Sequence, residues 1–218
     1  MELRAPQGLL FDLDGTLVDS VADIAAAANA VRESRGIPAL PPAGIRGLIG
    51  DGARKLMERV VAGLDVDPAE ALVEFREHYA KCCVDETRPY PGVAESLGRL
   101  GRWRCGVVSN KPQRFTEMVV EGTGLAGYFG AVIGARSALP VKPDPALLRL
   151  AAEQLEVDLM DCWMIGDSPN DIRAARAAGC VAIGVSYGLC EPERIAAEAP
   201  DLLLECFSDL LAHLPADP

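Results

Sequence analysis

The sequence predicts an α/β protein in which a doubly wound, Rossmann-like parallel sheet carries an inserted α-helical cap. Two observations predict this fold class. Short apolar runs of strand length recur along the chain and alternate with stretches whose apolar residues are spaced three and four apart. Between residues 17 and 90 the alternation stops and only helical spacing is found. Alternating strands and helices favour a parallel sheet that is covered by helices on both faces.

Five apolar runs are predicted to be buried strands, and a sixth short strand is predicted near the end of the chain. The six runs are Leu9–Asp12, Cys105–Ser109, Ala131–Gly134, Cys162–Gly166, Val181–Ser186 and Leu202–Glu205. The helices expected between them span residues 93–101, 113–124, 145–156 and 169–178. In sheets of this kind, ligands bind beyond the carboxyl ends of the strands. We therefore expect the functional residues at these strand ends.

The interval without strands is predicted to form the helical cap. Its helices are expected at Val21–Arg35, at Ala53–Ala62 and directly after Asp67-Pro68, a pair that supplies an N-cap and a first-turn proline. The interval begins just after the first strand, so it would close over the carboxyl edge of the sheet. We predict a catalytic core of residues 1–16 and 91–218 and a cap of residues 17–90.

Composition excludes several classes of function. The 218 residues contain 21 Lys+Arg and 32 Asp+Glu, which gives a net charge of −11. A chain this acidic, without a run of Lys or Arg, lacks the positive surface of a nucleic-acid binder and suits an anionic membrane poorly. Its seven cysteines are odd in number and scattered, and Met1–Arg4 shows no basic-then-apolar export signal. We expect a cytoplasmic protein that binds neither nucleic acid nor membrane, and no feature of the sequence predicts an oligomeric state.

The segment Asp12-Leu13-Asp14-Gly15-Thr16 is the strongest functional signal. It ends the first predicted strand, and in an extended chain the side chains of Asp12 and Asp14 project to the same face. Two adjacent carboxylates repel each other unless a cation or a shared proton offsets the repulsion. An Asp-rich turn is the structural alternative. An EF-hand calcium loop is disfavoured because it requires Gly and Glu where Leu17 and Asp23 stand.

A second acidic segment, Gly166-Asp167-Ser168-Pro169-Asn170-Asp171, ends the fourth predicted strand. Ser168, Pro169 and Asp171 form the pattern of a capping box for the next helix, so Asp171 is either a supporting residue or a further metal ligand. Asp167 is not required by that cap, and the sheet would bring it near Asp12. Together with Asp12 and the carbonyl of Asp14, it supplies oxygen ligands suited to Mg²⁺. We expect Mg²⁺ as the cofactor.

Two further segments predict a phosphate site. Ser109-Asn110-Lys111-Pro112 ends the second predicted strand just before a helix, and Lys142-Pro143-Asp144-Pro145 precedes another helix. A hydroxyl and backbone N–H groups at a helix N-terminus, with one point charge from Lys142, can hold a phosphate. Each segment alone is common in proteins. Their occurrence together with both acidic segments is what predicts the site.

With these four motifs, in this order, the chain resembles the haloacid dehalogenase-like hydrolases, and among them the phosphoglycolate phosphatase-like members that carry a helical cap after the first strand. The resemblance covers nearly the whole chain. It implies that Asp12 is the nucleophile that takes the phosphoryl group as an aspartyl phosphate, and that Asp14 is the general acid and base. The binding residues that it implies are Thr16, Ser109, Asn110 and Lys142 for phosphate, and Asp12, Asp14 and Asp167 for Mg²⁺.

The resemblance implies a phosphatase of carbohydrate metabolism that acts on a small phosphate monoester, with phosphoglycolate favoured. An alternative substrate is N-acetylmuramic acid 6-phosphate or another sugar phosphate, because a relative with the former activity has a similar Gly-Ala-Arg stretch in its cap. The cap residues expected near the substrate, with Arg46 as a further candidate, are Gly50, Asp51, Gly52, Arg54 and Lys55.

Two rival functions would keep the same site. A phosphomutase would also use Asp12 and Asp14, although Thr16 favours hydrolysis by comparison with mutase members of the family. A receiver-type signalling module also phosphorylates an aspartate at a strand end. Such a module has no place for Asp14 as an acid and base, nor for a cap of about seventy residues.

Overall fold

The chain alternates strands and helices in a computed structural model that describes residues 3–215. Within these residues the strands are β1 (Gly8–Phe11), β2 (Val18–Asp19), β3 (Arg88–Pro89), β4 (Arg104–Pro112), β5 (Ala131–Ala135), β6 (Cys162–Gly166), β7 (Val181–Val185) and β8 (Leu202–Leu204). The helices are α1 (Val21–Glu33), α2 (Pro42–Arg46), α3 (Ala53–Val60), α4 (Pro68–Cys82), α5 (Val93–Arg99), α6 (Gln113–Gly122), α7 (Ala146–Leu155), α8 (Pro169–Ala178), α9 (Pro192–Ala196) and α10 (Leu210–His213). Two short segments of the expected core, residues 1–2 and 216–218, lie outside the described residues. The first of them belongs to Met1–Arg4, where no export signal is expected.

Six strands form one parallel sheet in the order β5-β4-β1-β6-β7-β8. Successive side chains of β1 point to opposite faces, so Leu9 and Phe11 join one buried cluster while Leu10 joins the other. The predicted fold class is confirmed. All six predicted strands and the four predicted helices between them are present, with ends that differ by at most three residues.

Strand β1 lies at the switch point of the sheet, because the chain continues outward from it in both directions. Phe11 of β1 pairs in register with Ile165 of β6, and the N–H of Asp12 donates to the Ile165 carbonyl over 2.9 Å. This register sets Asp12 and Asp167 at the ends of neighbouring strands. The topology therefore opens a crevice where the two acidic motifs meet.

Helices α1–α4 form the helical cap, in which α4 packs against both α1 and α3. The three predicted cap helices are confirmed, and the side chain of Asp67 caps α4 by accepting from the N–H of Ala69 over 2.8 Å. Helix α2 was not predicted, because five residues after Pro41 are too few to show a helical period. Among the helices of the described chain, none combines the length and the apolar character needed to cross a membrane.

The two ends of the cap are joined by a short antiparallel pair, β2 with β3, which corrects the expectation of no strand between residues 17 and 90. Each strand has two residues, so neither could show a period-two pattern in the sequence. Beside this pair, the buried carboxylate of Asp23 accepts hydrogen bonds from the N–H groups of Glu86 and Thr87 and from the Thr87 hydroxyl, over 2.6–2.9 Å. These bonds hold the entry and the exit of the cap side by side.

Candidate active site

Carboxylates converge at the carboxyl edge of the sheet between β1 and β6. Asp12 follows β1, Asp167 follows β6, and Asp171 comes from the first turn of α8. One carboxylate oxygen from each of these three buried residues lies within 4.8 Å of the others. The structure thus brings together acidic residues that lie more than 150 positions apart in the sequence.

Burial and mutual repulsion change the protonation of this cluster. Burial, the largest cause, raises the pKa of Asp12 to about 7, with the charges of Asp171 and Asp14 adding to it and Lys142 opposing it. Burial likewise raises the pKa of Asp167 to about 8, and the charges of Asp12 and Asp171 contribute. A positive charge placed between these carboxylates would favour their ionised forms.

Lys142 supplies one such positive charge from the loop before α7. Its ammonium group lies 3.0 Å from Asp12 Oδ1 and 2.6 Å from Asp171 Oδ1, and it donates to the carbonyl of Val108 over 2.6 Å. Burial alone would lower the pKa of Lys142, but the two carboxylates raise it above its usual value. The side chain is therefore a fixed cation beneath Asp12.

Asp171 serves the helix as well as the site. Its Oδ2 accepts hydrogen bonds from the N–H and the hydroxyl of Ser168 over 3.0 and 2.6 Å, which confirms the predicted capping box. Gly166 allows this arrangement, because a Cβ at that position would overlap the carboxyl group of Asp171. One oxygen of Asp171 thus caps the N-terminus of α8. The other lies beside Lys142 and fixes the position of the lysine.

Asp167 is held by the loop that follows β7. Its Oδ2 accepts from the N–H of Leu189 over 2.7 Å, and its Oδ1 lies 3.4 Å from the hydroxyl of Thr16. Gly188 passes so close that a Cβ there would overlap Asp167 and the carbonyl of Gly15. Thr16, predicted to bind phosphate, thus lies buried beside the Asp167 carboxylate.

Asp14 has a separate set of partners. Its Oδ1 accepts from the hydroxyl of Ser20 over 2.6 Å, and its Oδ2 lies 2.8 Å from the ammonium group of Lys111. Lys111 also donates to the hydroxyl of Tyr79, on cap helix α4, over 2.8 Å. Although burial opposes it, the charge of Asp14 and the neighbouring Tyr79 raise the pKa of Lys111. These contacts link Asp14 to both the core and the cap.

The site residues predicted from the sequence do not include Lys111, Tyr79 or Ser20. Lys111 had a usable signal, since it stands directly after Ser109 and Asn110 at a strand end. Tyr79 had none, because its spacing from Phe75 is that of an ordinary buried helix face.

Three of the four predicted phosphate-binding residues, Ser109, Asn110 and Lys142, meet near the carboxyl end of β4. Ser109 Oγ accepts from the N–H of Lys111 over 3.2 Å. The side chain of Asn110 bonds to both backbone groups of Lys142, accepting over 2.9 Å and donating over 3.0 Å. Its amide also donates to the carbonyl of Gly50 in the cap over 3.2 Å. Asn110 therefore joins the lysine loop, the strand end and the cap.

The structure places the predicted cap residues in different surroundings. Gly50 and Gly52 line a narrow cavity above Asp12 and Asp14. Asp51 contacts the core, where it accepts a hydrogen bond from the side-chain amide of Asn170 over 2.8 Å. Lys55 lines a wider outer cleft, and Arg46 donates to the carbonyls of Gly188 and Leu189. Arg54 is not brought to the site: its side chain is 85% exposed and pairs with Glu58 one turn along α3.

The cavity between the cap and the strand ends has a free volume of about 50 Å³. Its walls are mostly apolar and come from both parts of the chain: Ile24, Ile49, Leu56, Phe75 and Phe115. The polar and charged residues that line it are Asp12, Asp14, Tyr79, Ser109, Asn110 and Lys111.

Known proteins share this arrangement of sequence and fold. Residues 9–185 match the family model described as haloacid dehalogenase-like hydrolase. A phosphoglycolate phosphatase of Pectobacterium atrosepticum is 36% identical over 217 residues, which cover 96% of this chain and 93% of that protein. Phosphoglycolate phosphatase 1 of Pseudomonas aeruginosa is 39% identical, over 95% of this chain and 79% of that protein.

A solved structure extends the likeness to the fold. The crystal structure of a predicted phosphoglycolate phosphatase from Haemophilus somnus superposes with a TM-score of 0.87 at 29% identity, covering 94% of this chain and 96% of that one. The matches span the sheet, the cap and the strand ends that carry the aspartates. The chain therefore belongs to the haloacid dehalogenase-like hydrolase family, in its phosphoglycolate phosphatase-like subgroup.

Proposed function

We propose that the protein is a Mg²⁺-dependent phosphatase that hydrolyses phosphoglycolate through an aspartyl-phosphate intermediate. The relatives named phosphoglycolate phosphatase support this substrate. The observation that carries it is the cavity, because its small free volume and apolar walls suit a short leaving group with one polar end. A sugar has several hydroxyl groups, each of which loses free energy when it is buried without a hydrogen-bond partner. The cavity therefore disfavours the alternative of a sugar phosphate or N-acetylmuramic acid 6-phosphate.

In this proposal Asp12 attacks the phosphorus atom and takes the phosphoryl group as an aspartyl phosphate. Lys142, 3.0 Å from Asp12 Oδ1, favours the ionised form that attacks and fixes its direction. Asp14 protonates the leaving oxygen and later removes a proton from the attacking water. Ser20 and Lys111 hold its two oxygens, so the carboxyl group stays directed at the cavity.

The phosphoryl oxygens would accept from the hydroxyl of Ser109 and the backbone N–H of Asn110. The ammonium group of Lys142, whose three N–H groups contact Asp12, Asp171 and the Val108 carbonyl, would stabilise them through its positive charge. The two bonds between the Asn110 side chain and the Lys142 backbone support this role, because they fix the strand end and the lysine loop relative to each other. Donors that are already positioned need not reorganise as charge develops on the phosphoryl group. Thr16 would contribute by positioning Asp167, which its hydroxyl contacts.

The donor set fits a divalent cation. When all four carboxylates of the site are ionised, they exceed the two ammonium groups beside them by two negative charges: Asp12, Asp14, Asp167 and Asp171 against Lys111 and Lys142. We propose that Asp12, Asp167 and the backbone carbonyl of Asp14 hold Mg²⁺. Bound Mg²⁺ reduces the repulsion between an attacking carboxylate and a phosphate.

We further propose that residues 17–90 act as a cap on a core of residues 1–16 and 91–218. The packing of α4 against α1 and α3 and the pairing of β2 with β3 at the two ends of the interval support the division. A cytoplasmic location is proposed as well, because the seven cysteines are free thiols, as expected in a reducing compartment.

A panel of phosphate monoesters tests the substrate. We expect kcat/KM for phosphoglycolate to exceed that for sugar phosphates and for N-acetylmuramic acid 6-phosphate by about 10-fold or more, since unpaired sugar hydroxyls would be buried. In a single turnover, the amount of free phosphate released should equal the amount of enzyme that has reacted. A higher kcat/KM for any sugar phosphate would contradict the substrate, and an isomeric phosphosugar in place of free phosphate would indicate a phosphomutase.

Metal removal tests the proposed Mg²⁺ site. We expect EDTA to abolish turnover and added Mg²⁺ to restore it. Mg²⁺ at about 100 times its Kd should also stabilise the folded protein by about 2.7 kcal/mol, which calorimetry measures as a higher Tm. In Asp167→Asn this rise in Tm should be lost, while Asp65→Asn, at an exposed position of the cap, should keep it. An unchanged rise in Asp167→Asn would remove that residue from the proposed ligand set.

A further inference from the structure

Lys111 is a buried cation whose hydrogen-bonding capacity is only partly used. Lys111 is 8% exposed, and its ammonium group contacts Asp14 Oδ2 and the Tyr79 hydroxyl, each over 2.8 Å. An ammonium group has three N–H donors, and a phenol that accepts a hydrogen bond keeps its own O–H to donate. Within the described chain Asp14 and the Tyr79 hydroxyl are the polar partners of the Lys111 ammonium group, so one N–H of Lys111 and the O–H of Tyr79 are available to a ligand.

The cavity increases the influence of the Lys111 charge on a bound ligand. Lys111 is the one basic residue among the described residues that line the cavity, and its ammonium group lies 2.8 Å from Asp14 Oδ2. The surrounding walls are apolar, and charges interact more strongly away from water. An anionic leaving group that enters the cavity would be repelled by Asp12 and Asp14 and attracted by Lys111.

The basic cap residues that were predicted near the substrate are engaged elsewhere. Arg46 donates to backbone carbonyls of the loop after β7, and Arg54 is exposed and paired with Glu58. Lys55 lines the outer cleft. None of these three reaches the cavity between Asp14 and helix α4 in the part of the chain that the structure describes.

We propose that Lys111 and the hydroxyl of Tyr79 together bind the carboxylate of the leaving group and so determine the preference for an anionic substrate. The proposal rests on the proposed function. In phosphoglycolate one carbon separates the ester oxygen from the carboxylate. If Asp14 protonates the ester oxygen, the carboxylate falls within reach of Lys111, which contacts Asp14, and of Tyr79, which contacts Lys111. Burial raises the pKa of Tyr79, so its hydroxyl remains a donor at neutral pH.

The cap and the core each contribute one of the two groups. Lys111 comes from the end of β4 and Tyr79 from α4, so the carboxylate-binding pair exists only while α4 lies over the strand end. Phe75 and Phe115 support this position, the first ring stacking on Tyr79 at 5.5 Å and the second meeting it edge-on at 5.1 Å. Substrate charge is therefore recognised across the boundary between the two parts.

The test compares two substrates that differ at one group, phosphoglycolate and 2-hydroxyethyl phosphate, in which an alcohol replaces the carboxylate. The measured quantity is the ratio of their kcat/KM values. Lys111→Met also removes a partner of Asp14 and will slow both substrates, but the ratio cancels this common effect. We expect the wild-type ratio to favour phosphoglycolate and to fall roughly 10- to 100-fold in Lys111→Met, the range expected for a lost hydrogen bond to a charged group.

Further variants separate recognition from a structural role. Tyr79→Phe, which keeps the ring and the fold, should lower the ratio several-fold, and Lys111→Arg should retain part of it. Lys81→Met, at an exposed site on the same helix, should leave the ratio at its wild-type value. Equal losses on both substrates in Lys111→Met and Tyr79→Phe, or a wild-type ratio near one, would overturn the proposal. A better substrate elsewhere in the monoester panel would overturn phosphoglycolate as the substrate and leave this ratio intact.

Discussion

Asp12→Asn is expected to lose at least about 10⁴-fold in kcat with p-nitrophenyl phosphate and Mg²⁺, because an amide cannot form the covalent intermediate and loss of a nucleophile removes most of the catalysis. The substitution changes one atom of the side chain, and its remaining oxygen can still accept from the N–H of Leu13, which lies 2.7 Å from Asp12 Oδ1. The fold should therefore survive. Circular dichroism and Tm check this directly.

A second readout ties the loss to the proposed chemistry. Wild-type protein quenched in acid during turnover should carry a covalent phosphoryl group, and Asp12→Asn should carry none. Asp65→Asn, with the same chemical change at an exposed position, should keep both activity and labelling. Near-normal turnover by Asp12→Asn would contradict the nucleophilic role of this residue.

Lys142→Met is expected to have the largest effect on stability. Lys142 is 1% exposed at its side chain and lies between Asp12 and Asp171. Replacing it leaves two buried carboxylates without their cation, a change that costs about 3–5 kcal/mol in proteins. For a chain of this size that corresponds to a Tm lower by about 10 °C. We also expect kcat to fall at least about 100-fold, because the positive charge that stabilises the phosphoryl oxygens is lost.

The loss of stability should depend on pH in a defined direction. Lys142 lowers the pKa of Asp12, so its removal raises that pKa further above its unfolded value. A carboxyl group whose pKa is higher in the folded state binds more protons there, and the folded state then gains stability as the pH falls. The difference in Tm between wild type and Lys142→Met, measured in EDTA, should therefore narrow from pH 8 to pH 5. Lys81→Met serves as the control, and an unchanged Tm in Lys142→Met would contradict the structural role.

The strand-end residues could be predicted from the sequence because topology alone determines where they lie. Parallel strands end at one edge, so an apolar run followed by Asp12 and another followed by Asp167 must place both carboxylates on that edge. The capping box at Ser168 and Asp171 was equally local, since it needs four consecutive positions. Such features depend on spacing, which the sequence displays directly.

The contacts of Lys111 could not be predicted in the same way. Its partner Tyr79 lies 32 positions earlier, on a helix whose apolar spacing is that of a packed core face. Which face of a cap helix meets which strand end depends on how the cap is oriented, and no spacing rule gives that orientation. Arg54 illustrates the same point, because a plausible cation beside a Gly-rich loop is directed to solvent.

The pairing of β1 with β6, two strands that are distant in the sequence, has a consequence for synthesis of the protein on the ribosome. Asp12 and Asp167 are 155 positions apart, and Asp167 is held by the N–H of Leu189. Contacts of such long sequence separation form late, after the intervening chain has been made and the central strands have paired. A nascent chain that ends before Leu189 has every residue of the phosphate site but lacks the loop that fixes Asp167. Activity should therefore appear only after Leu189 has left the ribosome, which makes turnover a reporter of the assembly of the sheet up to β7 and the loop that follows it.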